Sequence, residues 1–266
     1  MNKILILVFV LFANSANAKD NKIEKYNTLI DSAEAQFSKG EHIAANISYG
    51  DAFKLFRHPL AVDLSNAMVN ATKGENKAAF YKYANLFSQY GVQSSFFSKR
   101  KTFQYWNGSK EWNLLLTQTD ENYGKFVSKN SSLRHYVDSL LAFAEQKKEG
   151  AFEPDVNIKD FRQATRLVSQ DLLSLFETQG YISEDLVGVN IKNDTTIATS
   201  KILQLIEFTM LSPDGKREGE VEIIIIMNYE IFLTDAFNEC KIGWRDYWAN
   251  TQNINGYQQP PAKPSF

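Results

Sequence analysis

Residues 33–53 read AEAQFSKGEHIAANISYGDAF, and residues 67–87 read AMVNATKGENKAAFYKYANLF. Laid over one another at an offset of 34, they share Ala33 with Ala67, Lys39-Gly40-Glu41 with Lys73-Gly74-Glu75, and Ala44-Ala45 with Ala78-Ala79. Tyr49 and Phe53 fall on Tyr83 and Phe87 in the same register. The shared positions predict paired helices. Small residues at Ala33, Ala45, Ala67 and Ala79 let antiparallel helices approach closely, while the aromatics at i, i+4 spacing fill the space beside them. Gly40 and Gly74 fall where a tight interhelical turn needs backbone freedom.

A repeat of this length, read as helix, turn and helix, resembles the tetratricopeptide repeat over roughly residues 26–91. Gly40, Ala45, Tyr49 and Ala52 match the turn and second helix of the family's pattern in the first unit, and Gly74, Ala79 and Tyr83 match it in the second. The first helices depart from it: the family's tryptophan and leucine-glycine positions are Leu29, Ser32 and Ala33, then Asp63, Asn66 and Ala67. The resemblance implies an α-solenoid whose first helices line a groove for a protein or peptide partner. Asn27, Ile30, Glu34 and Phe37 would come from one unit, and Ala61, Leu64, Met68 and Ala71 from the next. The second set is apolar throughout, and a large open apolar strip is tolerated only as an interaction site. We therefore expect the aromatic-rich segment Phe96–Trp112 to cover it, leaving the Asn27 and Glu34 side accessible. A third unit is weaker, since Gly108 keeps the period but bulky residues replace the alanines. About three units are needed to close such a core, so residues 92–127 read as an atypical cap on a repeat domain spanning 19–128.

Before the repeats, Lys3, an apolar run from Ile4 to Phe12 and Ala16-Asn17-Ala18 compose a signal peptide over residues 1–18. The run is too short for a membrane-spanning helix, which needs about 20 apolar residues. Its removal takes away one lysine and no acid, moving the formal charge from −2 to −3. Such a chain has no basic field for a phosphate backbone, which excludes nucleic acid as the natural partner. With 44% hydrophobic residues and 13% aromatics the bulk of the 266 residues can bury a core. Cys240 is the only cysteine, so no internal disulfide forms; the expected location is the bacterial periplasm or exterior.

The second half, 129–250, reads as a helical or α+β domain. One amphipathic helix runs from Leu133 to Lys148, and another from Ile158 to Gln179 with Asn157 as its cap and Gly180 as its stop. Ile202–Leu211 fits either the end of a helix begun at Asp194 or a strand. In the strand reading it pairs with Val221–Ile226 around the turn Ser212-Pro213-Asp214-Gly215. Residues 251–266, rich in Asn, Gln and Pro, read as a flexible tail. Gly180-Tyr181-Ile182 and Asp185-Leu186-Val187-Gly188 faintly resemble the middle of a helical domain of unknown function that follows such repeats in bacterial exported proteins.

Reactive groups are sparse. His42, His58 and His135 are scattered, and no metal-ligand, phosphate-loop, dinucleotide or nucleophile-elbow motif is present, so no cofactor or metal is expected. Gly243-Trp244-Arg245-Asp246-Tyr247-Trp248 holds the residue types that recur at binding hot spots, and Trp244 and Arg245 join the candidate binding residues. The reading is a mainly α, exported, non-enzymatic interaction or scaffold protein. Its rival is a metal-independent acid/base hydrolase in the second half, drawing on Glu207, Glu222, Glu230, Asp235 or Glu239. Because Ala16 and Ala18 form the small pair in register with the apolar run, mature chains begin at Lys19; N-terminal sequencing of exported protein that returns Met1 overturns this.

Overall fold

The computed structural model describes residues 22–129, 131–151 and 157–211, together with Leu233, Thr234, Ala236 and Lys241. The leader, the apolar run Val221–Ile226, Cys240, Trp244, Arg245 and the tail lie outside the described residues. The chain is mainly helical. Helix α1 (22–38) is followed by α2 (His42–Ala52), α3 (Ala61–Lys73) and α4 (Lys77–Phe87). A 3-10 turn at Ser88–Tyr90, the short α5 (Ser95–Lys99) and a second 3-10 turn at Phe103–Trp106 lead into α6 (Lys110–Lys129). Then come α7 (Ser131–Glu149), α8 (Ile158–Gln179), the single turn α9 (Glu184–Val187), a hairpin of β1 (Ile191–Lys192) and β2 (Thr196–Ile197), and α10 (Lys201–Thr209).

Packing follows chain order in the first half: α2 lies on α3, α3 on α4, and α4 on α6. Ala33, Ala45 and Ala67 are buried and Ala79 is half-buried against the same core, as close helix approach requires. Hydrogen bonds between residues 34 positions apart recur along this region. The Tyr26 hydroxyl accepts from the Leu60 amide, Trp106 Nε1 donates to Thr72 Oγ1, and Asn122 Nδ2 donates to Ser88 Oγ. Gly74 is not left-handed, with φ of −88°; its value lies in close approach, since a Cβ there would come 2.6 Å from the Cβ of His42.

Most of helix α3 is buried, so the polar residues on its buried faces need partners. Asp63, Ser65, Asn70 and Thr72 are all buried. Tyr26 donates to Asp63 at 2.7 Å, Arg100 donates to Ser65 at 2.7 Å, and Asn70 faces His42 through Oδ1 to Nδ1 at 2.9 Å and Nδ2 to the His42 carbonyl at 3.1 Å. Tyr83, whose hydroxyl donates to the Asn46 carbonyl, has its pKa pushed up to about 12 by burial and by Asp51. It therefore remains a donor at every physiological pH.

The apolar core falls into two clusters. The first runs from Ile23 to Leu115 and takes in Val189; the second joins α7, α8, α9 and α10 with Leu233 and Ala236. In α8, Asn157 caps the N-terminus and Gly180 ends the helix, as the sequence indicates. Its stripe of Phe161, Ala164, Val168, Leu172 and Phe176 is buried, whereas Leu167 turns outward and is exposed.

Residues 202–209 are helical, which decides between the two readings of this segment in favour of the helix. The helix does not begin at Asp194. Asn193 and Asp194 take φ of 51° and 62° in the turn of the β1–β2 hairpin, where Ile191 pairs with Ile197. Asx residues tolerate this left-handed region better than other side chains, which is why the turn sits on them. Helix α10 starts after Ser200, whose hydroxyl accepts from the Leu203 amide.

The buried amide of Asn70 gives a direct test. Asn70→Ala strips the His42 carbonyl and imidazole of their partner inside the fold and should cost about 1–3 kcal/mol in urea unfolding. Asn85→Ala, at an exposed position on α4, should stay within about 0.5 kcal/mol.

Candidate functional site

The sequence singled out one face of α1, and its residues end in different settings. Ile30 is buried in the first core, while Asn27, Glu34 and Phe37 are half-buried. Glu34 Oε1 accepts from Asn66 Nδ2 at 3.4 Å, and the Phe37 ring lies 5.8 Å from the His42 ring with the Lys73 ammonium 5.6 Å from its centroid. On α3, Ala61, Leu64, Met68 and Ala71 are fully buried. The aromatic segment reaches this helix through Arg100 on Ser65 and Trp106 on Thr72, with the Arg100 guanidinium 4.8 Å from the Phe103 centroid. Burial draws the Arg100 pKa downward, a cost that the ring face and the Ser65 acceptor offset. The stripe of α3 that stays reachable is one residue away, at Val62, Asn66, Val69 and Lys73.

A better-formed concavity lies on the second helices. Lys77, Ala78, Tyr81 and Asn85 of α4 face Glu111, Leu114, Leu115 and Gln118 of α6 across a groove of about 440 Å³. These positions stand three or four apart on each helix, so each set shares one face. Leu114 is 54% exposed, giving the groove an open apolar wall. At one end Lys77 Nζ meets Glu111 Oε1 at 2.8 Å, and the Tyr81 hydroxyl lies 3.0 Å from Ser109 Oγ. At the other end stand the exposed amides of Asn85 and Gln118, which can both donate to and accept from a peptide group.

The same face is apolar one unit earlier. On α2, Ile43 is 77% and Ile47 62% exposed, and at an offset of 34 Ile47 falls on Tyr81 and then on Leu115. Of these three register positions Ile47 is open, Tyr81 half-buried and Leu115 buried. Sequence reading missed this surface by looking for the groove on the first helices and by treating residues 92–127 as a cap alone.

Of the carboxylates of the hydrolase reading, Glu207 falls among the described residues, and Glu222, Glu230, Asp235 and Glu239 lie outside them. His135 and Arg166 are exposed and Glu207 is half-buried, and none of the three lines this groove. Among the described residues no group of three His, Cys, Asp or Glu side chains is placed to hold a metal ion, and no helix is long and apolar enough to cross a membrane.

The charge pair at the mouth of the groove has a measurable signature. The hydrogen bond from Lys77 holds the Glu111 carboxyl below its ordinary pKa, and the same bond holds the Lys77 ammonium above its own. The pair's contribution is thus present above the unfolded carboxylate pKa and lost as pH falls through the lower folded value; at the alkaline end it is lost as pH rises through the raised lysine value. In a carboxyl-carbon NMR titration Glu111 should titrate below an unpaired glutamate, and Lys77→Ala should move it upward toward the ordinary range. With that geometry in place, no protein-family model matches the chain, and neither a curated protein nor a solved structure matches it.

Proposed function

We propose that the chain is an exported, non-enzymatic interaction protein. Its tetratricopeptide-like α-solenoid takes a peptide or protein partner along the outer face of its second helices. One observation carries this reading: Ile43 and Ile47 on α2 and Leu114 on α6 are large apolar side chains left 77%, 62% and 54% exposed, Leu114 on the wall of the groove that half-buried Tyr81 also lines. A monomeric protein pays solvation free energy to keep such a strip exposed, and binding recovers it.

The groove suits an extended segment with an apolar residue at its middle. Its charges are neutralised by the Lys77–Glu111 pair, so selection falls to the Leu114 and Tyr81 surface and to the Asn85 and Gln118 amides. Export rests on the Lys3, Ile4–Phe12 and Ala16–Ala18 leader of the sequence.

The test is photo-crosslinking in the producing cell. A benzophenone residue at position 114 should give discrete adducts with an envelope or extracellular protein, and Tyr81→Ala should reduce them. Absence of adducts at positions 114 and 47, with efficient crosslinking from an exposed position of α8 such as 167, would sink the proposal.

A further inference from the structure

The chain passes from the second 3-10 turn into α6 through Asn107, Gly108 and Ser109. Asn107 and Gly108 are both exposed. The Asn107 main-chain amide donates to the Gln104 carbonyl at 3.0 Å, but among the described residues its side-chain amide forms no hydrogen bond, and neither does the Gly108 N–H. Gly108 has φ of 83°, and a Cβ built on it would meet nothing within 4 Å. The other exposed asparagines on α4 and α6 are placed differently. Asn85 and Asn113 each lie inside a helix and are followed by a leucine, whose amide nitrogen is engaged in the helical ladder.

These are the conditions under which an asparagine amide reacts with its own main chain. The nitrogen of the following peptide group, once it has given its proton to hydroxide, attacks the side-chain Cγ. A bond forms between that nitrogen and Cγ, the bond from Cγ to the amide nitrogen breaks, and ammonia leaves a five-membered succinimide. Water then opens the ring. Opening at the side-chain carbonyl gives aspartate, and opening at the main-chain carbonyl gives isoaspartate, whose main chain runs through Cβ and Cγ. The net change consumes one water and releases one ammonia. At Asn107 the amide is in water, the attacking nitrogen is not held by an acceptor, and glycine offers neither a side chain to crowd Cγ nor a narrow backbone range.

We propose that Asn107 is a site of spontaneous deamidation, converting in the folded protein to aspartate and isoaspartate, and that the isoaspartate form alters the mouth of the α4–α6 groove. Either product sets a carboxylate where the chain carried a neutral amide. Isoaspartate also adds one methylene to the main chain between two anchored residues. Trp106 is 8% exposed, and its indole donates to Thr72 at 3.0 Å. Ser109 is half-buried; its Oγ accepts from the Trp112 amide at 3.1 Å and lies 3.0 Å from the hydroxyl of Tyr81, a residue of the groove wall. The core holds Trp106 the more firmly of the two, so the added length is taken up at Ser109, and the start of α6 moves with it.

The experiment ages the purified full chain at neutral and at mildly alkaline pH and follows it by tryptic peptide mapping. The peptide Thr102–Lys110 contains Asn107 as its only asparagine, and the second Asn-Gly pair, Asn255-Gly256, falls in another peptide. Thr102–Lys110 should split with time into the amide and two acid forms, each carrying the mass gain of OH for NH2, and faster in proportion to hydroxide. The peptides carrying Asn85 and Asn113 should remain as amides over the same period. Asn107→Gln, which would have to close a less favoured six-membered ring, should abolish the conversion without moving the melting temperature, since the Asn107 side chain holds nothing. Conversion of Asn107 no faster than that of Asn113 overturns the site. For the groove, aged protein should show second amide NMR signals at Ser109 and Trp112 that grow with the isoaspartate fraction and are missing from Asn107→Gln. Second signals confined to positions 107 and 108 overturn the effect on the groove.

Discussion

Helix α3 must satisfy its polar side chains without water, and the first half of the molecule is arranged around that demand. A buried donor or acceptor left without a partner costs about 1–3 kcal/mol, so four polar residues on one enclosed helix are tolerable only with four satisfactory partners. Each comes from a different place: Tyr26 on α1 for Asp63, His42 at the start of α2 for Asn70, Arg100 between α5 and the second 3-10 turn for Ser65, and Trp106 at the end of that turn for Thr72. The contacts fix register as well as energy. Sliding α3 by one residue would break all four together and would set a Cβ-bearing residue against His42 in the place of Gly74.

The same demand explains what the aromatic segment does. Phe96, Phe97 and Phe103 are buried and meet edge to face or tilted at 5.5–6.2 Å, while the Arg100 and Trp106 polar ends reach past them to α3. A regular helix in that place would carry its side chains on a 3.6-residue period, whereas short turns let consecutive aromatics point inward. The segment thus sets a buried cluster of rings beside α3 through short turns, and α6 follows it. This leaves α4 and α6 as neighbours with an open groove between them.

Much of this was legible in the sequence, for reasons that differ by element. The hairpins α1–α2 and α3–α4 announced themselves because small and aromatic residues recur at fixed offsets, and α8 because Asn157 and Gly180 bracket an amphipathic stripe. Helix α10 was ambiguous because Ile202, Leu203, Leu205, Ile206 and Phe208 are all buried, so no exposed face sets a period. The signal that decides it is Ser200, a cap residue placed three before Leu203. The β1–β2 hairpin escaped because each arm is only two residues long; Asn193-Asp194 was its one local mark. The groove escaped for a third reason. The repeat shows in buried positions, whereas the open apolar residues do not recur as such: at the 34-residue interval exposed Ile47 falls on half-buried Tyr81 and then on buried Leu115.

The junction between the two cores rests on missing side chains. Phe126, near the end of α6, lies against Gly91 so closely that a Cβ there would come 2.5 Å from its ring, and 3.5 Å from it lies the point where a Cβ on Gly188 would stand. Both glycines also have positive φ, 69° and 87°, a region that L side chains rarely enter. Position and conformation therefore exclude a larger residue together, and the ring occupies the space that results. From Gly188 the chain turns back so that Val189, Ile191 and Ile197 reach the first core, and Lys99 pairs with Asp194 at 2.6 Å on the surface. That exposed pair adds little by itself, since surface salt bridges contribute about 0–1 kcal/mol. The fit of one aromatic ring between two glycines thus acts together with buried Val189, whose amide donates to the Tyr90 carbonyl at 3.1 Å, in holding the second half against the first.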